Sequence, residues 1–219
     1  EQGISLVLGI TAAAIDAKSA PKQPIKLDAT EFDAAAVNRS EDLQVAIAPK
    51  MLGQLSQLMI DADVARIHVL DIPENSFAPF ADRAALVAAI PELAKYDDAE
   101  LWSELIMTKP MKITNGQVTG EFVFELPELQ IALSVRSNAG EKWERIVTIS
   151  IEVGQSVRTD LIRPDRDTRA IHLKWEGNAT INATAKFADG YVATNKKIDE
   201  TKLTLLAEKS WKAWTSLGP

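Results

Sequence analysis

Hydrophobic and polar residues follow two rhythms along this chain of 219 residues. In the first, apolar side chains recur about every 3.6 positions, as one face of a helix requires; in the second they alternate, as a half-buried strand requires. Pro49 suits a first helical turn, where a missing N–H costs nothing. After it, Met51, Leu52, Leu55, Leu58, Met59 and Val64 form one apolar face. Arg66–Leu70 reads as a strand and Asp71–Ser76 as a turn cluster. Asp82 can cap a helix over Arg83–Ile90, which Pro91 ends. Glu100–Thr108 alternates again, with Leu101, Ser103, Leu105 and Met107 on one side.

The next eighty or so residues read as antiparallel strands. Asn115-Gly116 predicts a hairpin turn. Gln117–Arg136 reads as one long strand whose apolar parity changes at Pro127: Val118, Phe122, Phe124 and Leu126 are even, while Leu129, Ile131, Leu133 and Val135 are odd. An unbroken ladder would send half of these to water. One inserted residue near Leu126–Glu128 restores a single face and bends the strand. Proline suits that point because it donates nothing to the ladder. Trp143, Val147, Ile149, Ile151 and Val153 are expected to share a face, followed by a further strand through Val157, Thr159 and Leu161. After a polar loop at Arg163–Thr168, Ile171, Leu173 and Trp175 alternate up to a break or bulge at Gly177. Ala179, Ile181, Ala183, Ala185 and Phe187 continue the pattern. Asp199 or Thr201 caps a last helix, with Leu203, Leu206, Ala207, Ser210, Trp214 and Leu217 on one side.

Before residue 49 the pattern gives a strand at Ile4–Ile15, a loop at Ala20–Pro24, a short strand at Ile25–Asp28, an ambiguous segment at Glu31–Asn38 and a strand at Asp42–Ala48. The first of these is apolar enough for a signal-peptide core. It lacks a basic leader and is too short to span a bilayer. No internal repeat and no Gly/Pro/Ser-rich linker divides residues 1–219, so one domain is expected. The fold class is α+β: a long, bent antiparallel sheet with helices against its concave side.

The order of elements adds to this. Met51, Leu52, Gly53, Gln54 and Leu55, then Asp71, Ile72 and Pro73, then Ile90, Pro91, Glu92 and Leu93 resemble one region of the bactericidal/permeability-increasing protein and lipopolysaccharide-binding protein family, within the TULIP lipid-binding superfamily. The resemblance covers roughly Ile4 to Leu217. It implies a strongly curved antiparallel sheet wrapped around amphipathic helices, with a lipid or other elongated apolar ligand held between them. It also implies no catalysis and an extracytoplasmic location. Family domains have a longer last helix with a returning strand; the sequence runs to Pro219, so a trimmed chain and a reduced domain are both open, and with them closure of the sheet. Nor is there a cysteine for the family's structural disulfide.

On that reading the lipid-binding candidates are Leu52, Leu55 and Met59 on the first helix, Phe122, Phe124, Leu129 and Ile131 on the long strand, and Trp211 and Trp214 on the last helix. The same side chains would equally fill a dry core, which is the alternative: a structural or protein-interaction domain without ligand. Trp211 and Trp214 suit either a core or the mouth of a pocket.

Candidate chemistry narrows the picture further. His68 and His172 sit mid-strand without partners at catalytic or metal-binding spacing. Asp61/Asp63, Asp97/Asp98/Glu100 and Asp165/Asp167 miss the calcium-loop pattern. No phosphate-binding glycine loop and no nucleophile elbow occurs. No cofactor, no metal and no enzymatic activity are therefore expected. A net charge of −7 argues against nucleic acid and anionic membranes as partners. Arg163, Arg166 and Arg169 are the one dense basic group, and Asp165 and Asp167 offset them within a Debye length of about 8 Å at physiological salt. Sedimentation with anionic liposomes should be weak and insensitive to salt. Tight binding that salt abolishes would contradict the charge reading.

Overall fold

Glu144–Ile162 is a single strand of 19 residues, and the rest of the fold is arranged on either side of it. The computed structural model describes residues 49–116, 121–138, 141–162 and 170–216. The elements expected before residue 49, the Arg163–Thr168 loop, Leu217 and the second half of the Ser137–Gly140 turn lie outside the described residues. In chain order the elements are α1 (Pro49–Asp61), β1 (Arg66–His68), α2 (Arg83–Ala89), β2 (Glu100–Met107), β3 (Lys112–Asn115), β4 (Glu121–Arg136), β5 (Glu144–Ile162), β6 (Ala170–Phe187) and α3 (Glu200–Thr215). Short 3-10 turns run between Val69 and Tyr96. The strands form an antiparallel sheet in the order β1-β2-β4-β5-β6, with β3 also on β4. The sheet is curled but not closed, and with its helices it makes an α+β fold.

One apolar face runs across the three long strands because inserted residues repair the alternation. Leu126 pairs with Val153 but Leu129 pairs with Ile151, so β4 carries one extra residue at Pro127–Glu128. Phe124, opposite Gln155, and Leu129, opposite Ile151, therefore share the face of the odd residues of β5. This is the bulge expected from the parity switch. It also divides the edge of β4: β2 pairs with residues 129–136 and β3 with residues 122–125. Proline stands where one partner strand gives way to the other, so its missing N–H leaves no ladder position unfilled.

Two further insertions were only partly legible. Gly154 pairs with Thr180 while Ser156 pairs with Glu176, so three residues of β6, Gly177 to Ala179, face Gln155 alone. Gly177 adopts φ +66°, where a side chain would be strained. The segments expected as separate strands thus join into the long β5 and β6. Near its start β5 carries the extra residue Ile146, since Leu133 pairs with Val147 but Ser134 with Arg145. Ile146 is fully buried beside Val147. Parity inverts before it, and this corrects the expectation for Trp143. The indole lies on the outer face, tilted against Trp102 (5.9 Å between centroids) and under the Arg136 guanidinium (4.5 Å).

Other boundaries shift for local reasons. The first strand stops at His68, because Val69 turns inward and is fully buried while Leu70 is exposed. The hairpin after Asn115 is wider than a two-residue turn: Asn115 pairs with Phe122, and Gly116 N–H donates to Glu121 C=O at 2.8 Å. Among the described side chains of α1 the buried one is Ser56, which pattern assigned to the polar side; Met59 is exposed, and so is Val64, which the expected helical face included but which lies past the end of α1. Small residues allow close approach here. A Cβ on Gly53 would stand 3.0 Å from Met111 O, and Ser56 Oγ accepts from Met111 N–H at 3.0 Å. Asp82 and Asp199 cap α2 and α3 as expected, the first accepting from Ala84 N–H at 2.9 Å and the second from Lys202 N–H at 3.2 Å.

The inner face is covered twice over. Val69, Ile72, Phe77, Phe80, Leu86, Ile90 and Leu93 join the core from residues 69–93, and Leu203, Ala207 and Trp211 join it from α3. A buried carboxylate holds the two covers together. Glu92 is 1% exposed. Its Oε1 accepts from Tyr191 Oη (2.9 Å), Thr194 N–H (3.0 Å) and Lys95, and its Oε2 accepts from Asn195 N–H (2.7 Å). Burial pushes the carboxyl up, but the bonds from Lys95, Asn195, Thr194 and Tyr191 together outweigh it and bring its pKa down to about 2. Tyr191 is pushed the other way, by burial and then by Tyr96 and Glu92.

A carboxyl depressed from 4.5 to about 2 stabilises the fold above pH 4.5, and that contribution is lost as pH falls toward 2. Its size is on the order of 3 kcal/mol. In Glu92→Gln one carboxamide oxygen cannot serve both sets of donors. Urea denaturation should show the variant less stable by about that amount at neutral pH, with a flatter dependence between pH 4.5 and 2. An unchanged acid limb would remove Glu92 from the account.

Candidate functional site

The sheet ladder opens where the β4 and β6 insertions flank Gly154, and the largest aromatic cluster among the described residues lies beside this point on the inner face. Phe124 comes from β4, Trp175 from β6, and Trp211 and Trp214 from the C-terminal half of α3. Trp211 stacks on Phe124 at 6.2 Å between centroids and meets Trp175 edge-on at 5.6 Å. Trp214 lies 4.9 Å from Trp211 and 5.8 Å from Trp175. Trp211 is buried, whereas Phe124, Trp175 and Trp214 are half-buried. Phe122, one step along the same face of β4, is also half-buried. A partly open apolar surface thus surrounds one closed ring.

A polar side chain sits inside this group. Gln155, 7% exposed, occupies an inward position between Val153 and Val157. Its Oε1 accepts from Trp211 Nε1 at 2.6 Å, and its Nε2 reaches Gly177 C=O at 3.4 Å. The Gln155–Trp211 bond fixes the angle at which α3 lies on the sheet, because it satisfies a buried indole N–H that would otherwise be costly.

The expected site residues divide into three groups. Phe124, Trp211 and Trp214 meet, with Phe122 adjacent. Leu129 and Ile131 lie farther along β4 in the closed core, at 5% and 0% exposure. Leu52, Leu55 and Met59 stand on α1, which packs beside β3; Leu52 and Leu55 are half-buried there and Met59 is 45% exposed. Sequence reasoning missed Trp175 and Gln155 as site residues. Trp175 showed itself as an alternating apolar residue two positions before a glycine. Gln155 was detectable as a polar residue in an apolar parity series.

The outer face carries a shallow hollow of about 730 Å³ over the same fold line. Gly154 leaves its floor bare, and Glu125, Glu152, Asn178 and Asn182 stand around it. Lys109 pairs with Glu128 at 2.9 Å. The Gln130 amide and then Lys109 hold the Glu128 carboxyl below its ordinary value. Farther along this face, His68 stacks on Trp102 at 4.0 Å, so the imidazole is part of an aromatic ladder. Among the described residues no group of three or more His, Cys, Asp or Glu could hold a metal ion, and no helix is long and apolar enough to cross a membrane.

No family model and no curated protein matches the chain. Among solved structures it is similar to one titled "Crystal structure of lipopolysaccharide binding protein", with a TM-score of 0.45 and 12% sequence identity over 69% of this chain. The match spans 30% of that chain's length. It is a distant likeness of fold and does not make the chain a member of that family.

The cluster sets apart two kinds of alanine variant. Ile131→Ala empties a closed site and should cost about 2–5 kcal/mol. Trp214→Ala removes a half-exposed ring and should cost less than Ile131→Ala in the same denaturation series. The reverse order would show that the α3 terminus is as tightly packed as the core.

Proposed function

We propose that this protein binds an elongated apolar ligand, an acyl lipid in chemical class, without catalysis. The ligand lies against Phe122, Phe124, Trp175 and Trp214 at the open end of the contact between α3 and the sheet. The single observation that carries this reading is the half-buried aromatic surface around the closed Trp211 ring. Each methylene removed from water there would contribute about 0.8 kcal/mol. The middle of the inner face has no room for a chain, since Leu129, Ile131, Leu133 and Val135 are all closed in. Of the candidates named from sequence, the aromatic ones therefore carry the proposal, and a location outside the cytoplasm goes with it as an expectation. The second reading, a filled structural domain, is favoured by that same closed core.

Lipid extracted from purified protein and identified by mass spectrometry is the first test. A neutral naphthylamine probe is the second. Wild-type protein should enhance its emission and quench the tryptophans. Trp214→Ala and Trp175→Ala should weaken probe binding about tenfold while the protein stays folded. Folded Ile131→Ala should bind the probe as wild type does. No extracted lipid, together with no probe uptake by folded wild type, would leave the filled structural domain as the function.

A further inference from the structure

The polar residue inside the aromatic group has more hydrogen-bonding capacity than the fold uses. A carboxamide offers one oxygen and two N–H donors. The Gln155 oxygen is engaged by Trp211 Nε1 at a short 2.6 Å. The nitrogen makes one long bond, 3.4 Å to Gly177 C=O, and its other N–H has no acceptor among the described residues. Gln155 is more than nine-tenths buried, so water does not readily take that place. A hydrophobic side chain would suit the inward parity of this position at less cost. The wide β6 insertion removes the ladder partner that would otherwise crowd it, because Gln155 alone faces Gly177 to Ala179.

Resting on the lipid-binding reading, we infer that Gln155 selects a ligand whose apolar chain ends in a neutral acyl carbonyl, as in an ester. The spare Nε2 N–H donates to that oxygen while the chain covers the aromatic rings. A free carboxylate fits less well. Among the described residues, the ring neighbours and hydrogen-bond partners around Gln155 are Phe124, Trp175, Trp211, Trp214 and the Gly177 carbonyl, none of them cationic, and the Lys109 ammonium that lines the outer hollow is paired with Glu128. A buried anion without a counter-charge is strongly disfavoured. A plain alkane would fill the apolar surface and leave the donor unmet, which costs the free energy of one hydrogen bond.

The test is displacement of the neutral naphthylamine probe by three compounds of equal chain length: a methyl ester, the free acid and the alkane. Wild type should prefer the ester to the alkane by about tenfold, and to the acid at neutral pH. Gln155→Leu removes the N–H donor without adding a charge, so the ester should fall to the level of the alkane. Gln155→Met also removes the donor and should likewise abolish the preference while still binding probe; thermal melts establish that each variant is folded. Equal displacement by ester and alkane in wild type would overturn the inference and leave lipid binding standing. So would an ester preference that survives in both variants. Absence of probe binding by folded wild type would overturn both readings.

Discussion

The fold depends on keeping one apolar face continuous across strands too long to stay regular. Strands of 16, 19 and 18 residues in one sheet accumulate twist, and a sheet of that span must bend. Here the bend comes from inserted residues at Pro127–Glu128, Ile146 and Gly177–Ala179. The single-residue insertions at Pro127–Glu128 and Ile146 change the parity of their strands, and at Pro127 the sequence changes its apolar parity at the same place; the two extra residues at Gly177–Ala179 leave parity unchanged, and Trp175, Ala179 and Ile181 are all odd. At Pro127 neither change is tolerable alone. An insertion without the parity change would turn Phe122 and Phe124 to water, and a parity change without the insertion would do the same to Leu129 and Ile131.

That coupling explains what was legible beforehand. At Pro127 a proline and a clean even-to-odd switch coincide, and the bulge could be located within three residues. At Ile146 the signal is hidden, because Ile146 and Val147 are both apolar and either parity looks acceptable. Trp143 was therefore placed on the wrong face. The capping aspartates were readable because an N-cap is a local interaction. Ser56 was not, since its burial comes from the approach of Met111 across the fold rather than from anything on its own helix. Of the candidate site, the aromatic residues on β4 and α3 could be named from chemistry alone. Their separation from Leu129 and Ile131 could not, because a closed core and an open groove call for the same side chains.

Glu92 was invisible for a related reason. In the sequence the Ile90-Pro91-Glu92-Leu93 run marks a helix end and part of a resemblance, yet the carboxylate accepts four hydrogen bonds, three of them from residues 191–195. Nothing near Glu92 in sequence announces those partners. A buried acid is expensive unless every oxygen is met, and here the backbone before α3 meets it. The acid thus specifies where the last helix begins.

With that start fixed, α3 has the geometry of a lever. Its first turn is held at Asp199, whose N–H donates to Ala89 C=O at 2.8 Å, just beyond the Glu92 bonds. Its other end carries Trp211 and Trp214, about 18 and 22 Å away at 1.5 Å per residue. A tilt of about five degrees at the anchored end would carry Trp214 roughly 2 Å at the far end, given that helix rise. The aromatic surface is thus placed where the smallest rotation gives the largest displacement, with Gln155 as the catch that sets its rest position.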